Sequence, residues 1–259
     1  MVTQQHKYLK ILLVGESCTD EYEIGSVTRI SPEAPVPILK YSHTVTKLGM
    51  AENVKNNLEA LGCSVDFLTN DRQKITKRRF IDEKSNQQLM RLDIEQSLDP
   101  LAIQSVPLNT YDAVVISDYC KGLISDEVAQ YICTNFKGKV FVDTKRENLS
   151  PFLSAYIKIN SLEDLVARNL PRTATKIVTL GSEGALCEGV HYPAHKVKVH
   201  DVTGAGDVFL AALAYFSTTT SNIYTGIEAA NALAAKSVEH FGTYTITEKD
   251  LRETGYFLL

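Results

Sequence analysis

The stretch Thr203-Gly204-Ala205-Gly206-Asp207 runs directly into an apolar segment, VFLAALAYF at 208–216. Backbone N–H groups in such a small-residue turn can approach an oxygen anion closely. The helix that follows adds the partial positive charge of its first turn. A carboxylate in the same turn, Asp207, can take a proton from a substrate hydroxyl as that oxygen attacks phosphorus. The combination suits phosphoryl transfer to an alcohol. A plain glycine turn, with Asp207 capping a helix, fits the same five residues. No GxxxxGK[ST] run exists in the chain, and TGAGD does not continue as GxGxxG. Both a Walker loop and a dinucleotide fingerprint are thereby excluded.

The elements that must position this turn are legible from the apolar pattern. LKILLVG at 9–15, AVVIS at 113–117, KVFVD at 139–143 and KIVTL at 176–180 are short apolar runs ending in a polar residue or glycine. Such runs predict buried parallel strands. Helical spacing marks 50–62, with Gly62 as C-cap, and SDEVAQYICTNF, with Ser125 as N-cap. Two further helices are predicted over 205–217 and 222–239. The flanks of the Pro-broken segment 21–42, EYEIGSV and VPILKY, suit edge strands. Strand–helix alternation predicts an α/β fold, a three-layer sandwich with a mainly parallel central sheet and helices on both faces. Ligands of such sheets bind beyond the carboxyl ends of the strands, where Asp118, Asp143 and Gly181 fall.

A chain of 259 residues with 44% hydrophobic and 22% charged residues can bury one large core. The net charge of −4 gives no general attraction to nucleic acid or anionic membrane. KITKRRF at 74–80 is a local basic cluster that suits either an anion pocket or a solvated strand face. Five dispersed cysteines form no CxxC pair, so zinc is not expected and a reduced, cytoplasmic protein is. The longest apolar stretches are too short for a signal peptide or a membrane span.

DVTGAGD at 201–207 resembles the signature of the ribokinase-like (PfkB) carbohydrate kinases. RISPEAPVP at 29–37, NQQLMRLD at 86–93, SDYCKG at 117–122 and GTYTIT at 242–247 narrow the resemblance to the heptose-7-phosphate kinases of ADP-heptose synthesis. The resemblance implies one ribokinase-like domain over 1–259, with residues 20–45 as a β lid that often mediates homodimers. Asp207 would be the catalytic base, with Gly204, Ala205 and Gly206 as the anion hole. Asn160 and Glu163, in NSLE, would help position magnesium and the phosphates of ATP, Glu163 reaching the metal indirectly. Thr179, Gly181 and Gly184, with Thr203 and Asn231, would line the nucleotide site. Asp20, Gly49, Asn53 and Asp118 would face the sugar. Lys77, Arg79 and Arg91 would bind a phosphate on the acceptor if their strands pair.

The chain departs from that family mainly on the acceptor side. GGAANVA reads GMAENVK here, so Met50 replaces a glycine and Glu52 and Lys55 replace alanines. Glu16 stands for Asp and Thr19 for an apolar residue; Cys120 stands for Gly and Thr144 for Pro. The links before KITKRRF and before KIVTL are shortened, and no HxGH motif of a nucleotidyltransferase exists. Three readings follow: a kinase for heptose 7-phosphate, a kinase for another sugar or a nucleoside, or a catalytically weak regulatory homologue.

Overall fold

A computed structural model describes residues 8–257. In chain order, β1 is Lys10–Gly15, β2 Ser17–Ile30 and β3 Pro37–Met50, followed by α1, Ala51–Ala60. Next come β4 (Ser64–Leu68), β5 (Ile75–Asp82), β6 (Gln87–Glu95), β7 (Ala113–Asp118) and α2 (Asp126–Asn135). Then follow β8 (Lys139–Thr144), β9 (Tyr156–Asn160), α3 (Ser161–Val166) and β10 (Thr175–Thr179). The last third holds β11 (Ala185–Cys187), β12 (Val190–Tyr192), α4 (Ala205–Thr219), α5 (Ile223–Ser237) and α6 (Glu248–Thr254).

The chain folds as two compact units. The larger takes the residues up to Glu16, Met50–Thr69 and Asp99 onward; the smaller takes Ser17–Gly49 and Asn70–Leu98. The larger is built on an eight-stranded sheet in the order β12-β11-β10-β9-β8-β7-β1-β4. Every pair from β10 to β4 is parallel, whereas the β10–β11 and β11–β12 pairs are antiparallel. Alternation along the strands sends side chains to two separate cores. Ile11 and Leu13 of β1 join Val54 and Leu58 of α1 and the inner faces of α4 and α5. Leu12 and Val14 join Val128, Ala129 and Ile132 of α2 on the other face. All four β1 residues are fully buried, each contributing roughly 1.5–3 kcal/mol over an exposed state. Helices on both faces of a mainly parallel sheet are the expected α/β sandwich.

The predicted N-cap forms, while the glycine predicted as C-cap of α1 lies one residue beyond the C-cap, Leu61. Ser125 Oγ accepts from Val128 N–H at 3.3 Å, and Gly62 follows α1 with a φ of 84°.

The smaller unit is a four-stranded sheet, β3-β2-β5-β6. Here the edge-strand expectation is corrected for EYEIGSV. It lies in β2, an interior strand, because β5 pairs with it in parallel from Thr19↔Thr76 to Gly25↔Asp82. VPILKY does lie in an edge strand, β3. β5 and β6, from 75–95, complete the sheet to which the 20–45 segment contributes.

Candidate active site

Asp207 is the third residue of α4, and the local sequence explains where that helix starts. Gly204 is the N-cap, with a φ of 78°, a region glycine enters without steric cost. A Cβ there would also come within 2.6 Å of Asn53 Nδ2, so the close approach of α1 requires glycine too. Asp201 shapes the preceding loop. Its Oδ1 accepts from the N–H and hydroxyl of Thr203 at 2.9 and 2.7 Å, and its Oδ2 from Gly242 N–H at 2.8 Å.

The Asp207 carboxylate is only 4% exposed. Oδ1 accepts from the Tyr119 hydroxyl at 2.8 Å and Oδ2 from Asn53 Nδ2 at 3.0 Å. Burial pushes its pKa up to about 6, while the two hydrogen bonds and Lys158 pull it down and Asp143 pushes it up. A carboxylate so placed is ionised at neutral pH yet more basic than an exposed one, which is what a general base needs.

Charged groups crowd this turn. Lys158 Nζ lies 2.7 Å from Asp143 Oδ2, both side chains being buried. A Cβ on Gly206 would stand 2.8 Å from that Nζ, so the ammonium lies against the first turn of α4. Asp143 Oδ1 is buried with no hydrogen-bond partner. Lys145 pairs with Glu163 and lies 5.5 Å from the Tyr119 ring centroid. Burial opposes its charge, but Asp143, Glu163 and Asp207 outweigh burial and hold its pKa above the ordinary lysine value. Fixed cations beside a carboxylate base can stabilise charge that develops on a transferred group.

Asn160 and Glu163 form a capping box on α3. Asn160 Oδ1 accepts from Leu162 and Glu163 N–H, both at 2.9 Å, and Glu163 Oε2 accepts from Asn160 N–H at 2.7 Å. NSLE therefore has a local structural use, and only the Lys145-bound side of Glu163 faces the charged cluster. Among the described residues, no three His, Cys, Asp or Glu groups could hold a metal ion by themselves. Magnesium carried on nucleotide phosphates needs only one or two carboxylates, often through water. Asp143 Oδ1 and Glu163 fit that requirement.

A cavity of about 500 Å³ opens beside the turn, lined by Thr179, Gly181, Gly184, Ala205, Gly206 and Asn231 among others. Its size suits a nucleotide. Asn231 Nδ2 donates to Tyr192 O at 2.9 Å, which orients its amide. Thr203 and Gly204 do not line this cavity.

Asp118 is used otherwise than expected. Its Oδ2 accepts from Thr144 Oγ1 at 2.9 Å and from Arg146 Nε, and its Oδ1 from Cys120 N–H at 3.0 Å. Those bonds pin the loop after β7. Glu16, fully buried, accepts from Tyr119 and Lys121 N–H at 2.8 and 3.2 Å. Burial and then Asp118 raise its pKa to about 7.

The remaining expected residues lie in the smaller unit. Asp20 pairs with Arg79, whose guanidinium carbon sits 5.3 Å from the Tyr22 ring centroid. A Cβ on Gly49 would collide with Asp20 Oδ2, so glycine is needed beside this carboxylate. β5 and β6 do pair, with Arg79 directly opposite Arg91. Like charges so placed repel, and each has found its own carboxylate: Arg91 binds Asp93 at 2.7 and 2.9 Å. Lys77 shares the Arg79 face by alternation and stands opposite Asp20 in the β2–β5 register.

The description pfkB family carbohydrate kinase matches residues 153–250. Bifunctional protein HldE of Shewanella denitrificans is 30% identical over 93% of this chain and 62% of its own length. That of Campylobacter curvus is 31% identical over 95% of this chain and 65% of its own. The structure of Arabidopsis thaliana ribokinase complexed with ribose and ATP superposes with a TM-score of 0.74 at 14% identity, over 97% of this chain and 100% of that one. These matches support a ribokinase-like carbohydrate kinase, similar along nearly the whole of this chain to the HldE proteins. The chain has the ribokinase-like fold. It spans less than two thirds of the length of these HldE relatives. The Shewanella alignment runs over 299 positions, more than the chain's 259 residues, so internal segments of the relative have no counterpart here.

Tyr119, Lys145 and Lys158, which surround Asp207, were not among the residues expected from the sequence. Lys158 had a signal, since a lysine inside the strand YIKIN must find a counter-ion if that strand is buried. Tyr119 lay between two flagged residues of SDYCKG, but nothing local connects it with a helix 88 residues away.

Two departures from the family glycines carry a backbone cost. Met50, buried, holds φ 59° and ψ −130° at the N-cap of α1, and Cys120, exposed, holds a φ of 58°. A left-handed conformation costs an L-residue about 1–2 kcal/mol, partly offset by the entropy glycine loses on folding. Cys120→Gly is expected to raise the unfolding free energy by about 0.5–1 kcal/mol, read by urea unfolding. Cys120→Ala should not. Equal stability of the two variants would show that this φ carries no strain.

Proposed function

We propose that this chain transfers the γ-phosphoryl group of ATP to a hydroxyl of a sugar or sugar phosphate, with heptose 7-phosphate the first acceptor. The observation that carries this reading is Asp207, a buried and oriented carboxylate at the start of α4, beside a cavity of nucleotide size. The HldE relatives support the heptose. ATP supplies the phosphoryl group, and magnesium, when bound, would neutralise part of its charge. Asp207 takes the proton of the acceptor hydroxyl as that oxygen bonds to the γ-phosphorus and the bond to the departing ADP oxygen breaks. N–H groups of the first turn of α4, with Lys158 behind Gly206, face the developing charge. Asp143 Oδ1 and Glu163 would hold magnesium through water.

A second acceptor reading has its own support. Arg79 and Arg91 are tied to Asp20 and Asp93, which leaves fewer cations for a phosphate and favours a neutral sugar. An ADP-release screen over sugars and sugar phosphates, with and without magnesium, separates the two. With a phosphorylated acceptor, Arg79→Ala should weaken its binding by roughly 1.5–3 kcal/mol while sparing ATP. Equal affinity for a sugar and its phosphate, in wild type and variant alike, would remove heptose 7-phosphate. No magnesium-dependent ADP release on any acceptor would sink the kinase reading.

Cytoplasmic residence belongs to the same proposal and is supported by five free cysteines; cell fractionation reads it. No helix among the described residues is long and apolar enough to cross a membrane. A homodimer through the smaller sheet is also proposed. Met90, Leu92 and Ile94 alternate along the edge strand β6 and are 54, 42 and 42% exposed, an apolar row that association would cover. Sedimentation should give a dimer, and Leu92→Glu a monomer. A monomeric wild type at tens of micromolar would refute it.

A further inference from the structure

We infer that Tyr119 is a positioning residue for Asp207, its phenol hydroxyl fixing the orientation of the carboxylate. The hydrogen bond from the Tyr119 hydroxyl to Oδ1 is 2.8 Å long, and Asn53 holds Oδ2 at 3.0 Å. Two donors from different elements, the loop after β7 and helix α1, thus restrain the carboxylate.

The Tyr119 side of this clamp is built up from beneath. Glu16 Oε2 accepts the Tyr119 N–H at 2.8 Å, and Asp118 ties the neighbouring Cys120 N–H at 3.0 Å. Asp118 is itself anchored by Thr144 and Arg146. On the ring face stands Lys145, 5.5 Å from the centroid and paired with Glu163. A surface tyrosine with an incidental contact would lack this support.

A phenol that donates to a carboxylate favours the ionised form. The other groups facing Asp207 are Asp143 from β8, Lys145 from the segment after it, and Lys158 from β9. Asp143 opposes ionisation. The lysines favour it but are shared with Asp143 and Glu163. Removing the phenol hydroxyl should therefore leave burial less opposed and raise the Asp207 midpoint.

The proton-transfer role rests on the kinase reading, whereas the coupling between Tyr119 and Asp207 does not. The test accordingly has two readouts. The first is a carbon-13 carboxyl NMR titration of wild type and Tyr119→Phe, with Asp207→Asn to assign the signal. The Asp207 midpoint should rise by roughly one pH unit in Tyr119→Phe, the size expected for a hydrogen bond to a charged group. With 3-fluorotyrosine at position 119, a stronger donor, it should fall instead, which also serves if Tyr119→Phe folds poorly. The second readout is kcat/KM against pH, whose acid limb should move with the NMR midpoint while KM for ATP stays unchanged. Superimposed titrations in all three proteins would overturn the inference. A shifted midpoint in a protein that turns over no acceptor would uphold the coupling and sink the kinase reading alone. A shifted midpoint with an unmoved acid limb would overturn the role of Tyr119 in proton transfer.

Discussion

Asp207→Asn is expected to lower turnover on the best acceptor by roughly 10² or more, the usual reach of general-base catalysis. An amide can still accept one hydrogen bond in that position but cannot take a proton. Nucleotide affinity should change little, because the carboxylate oxygens are bound by Asn53 and Tyr119 and are not among the groups lining the nucleotide-sized cavity. The loss should come without unfolding. Asp207 has a folded pKa of about 6, above the ordinary 3.8, so between those values the folded state holds more protons than the unfolded one. Its contribution to stability is thus present below about pH 4 and lost as pH rises through about 6. At pH 8 the aspartate costs the fold up to about 3 kcal/mol, which the asparagine avoids. An inactive variant at least as stable as wild type at pH 8 is the expected result. In the wild type, activity should rise with pH through about 6. A variant with near wild-type turnover would end the assignment of Asp207 as base.

The second large effect concerns stability. Lys158 and Asp143 are both buried and 2.7 Å apart. Lys158→Met keeps the length of the side chain but leaves Asp143 charged, buried and unpaired. Breaking a buried pair from one side costs about 3–5 kcal/mol. Adding Asp143→Asn should return much of that loss, because the uncompensated charge is then gone. Urea unfolding of both single variants and the double measures the coupling directly. A Lys158→Met protein within about 1 kcal/mol of wild type would show that the pair holds no such energy.

The features legible in the sequence are those decided by neighbours along the chain. The runs at 9–15, 113–117, 139–143 and 176–180 became β1, β7, β8 and β10 because apolar residues at both pleat faces can only be satisfied by burial on both sides. TGAGD announced a turn and a helix start because φ values open to glycine and the N–H groups of a first turn are local properties. Ser125 announced its cap for the same reason. The family resemblance, carried by these same short motifs, reached the fold.

What the tertiary structure alone decided is which charge meets which. Tyr119 reaches Asp207 across 88 residues, Asn53 reaches it across 154, and Arg79 reaches Asp20 across 59. None of these pairings is implied by spacing, because each depends on strand order and register. Asp118 looked available for a ligand at the end of β7, yet β8 places Thr144 beside it and Arg146 two residues on, so its carboxylate serves the fold. EYEIGSV looked like an edge, yet β5 pairs with β2 from a segment some fifty residues later. Local sequence dictates which groups must be satisfied, since an unmet buried charge or amide is costly wherever it lies. Only the folded chain, by bringing distant strands into register, settles the partner that satisfies each one.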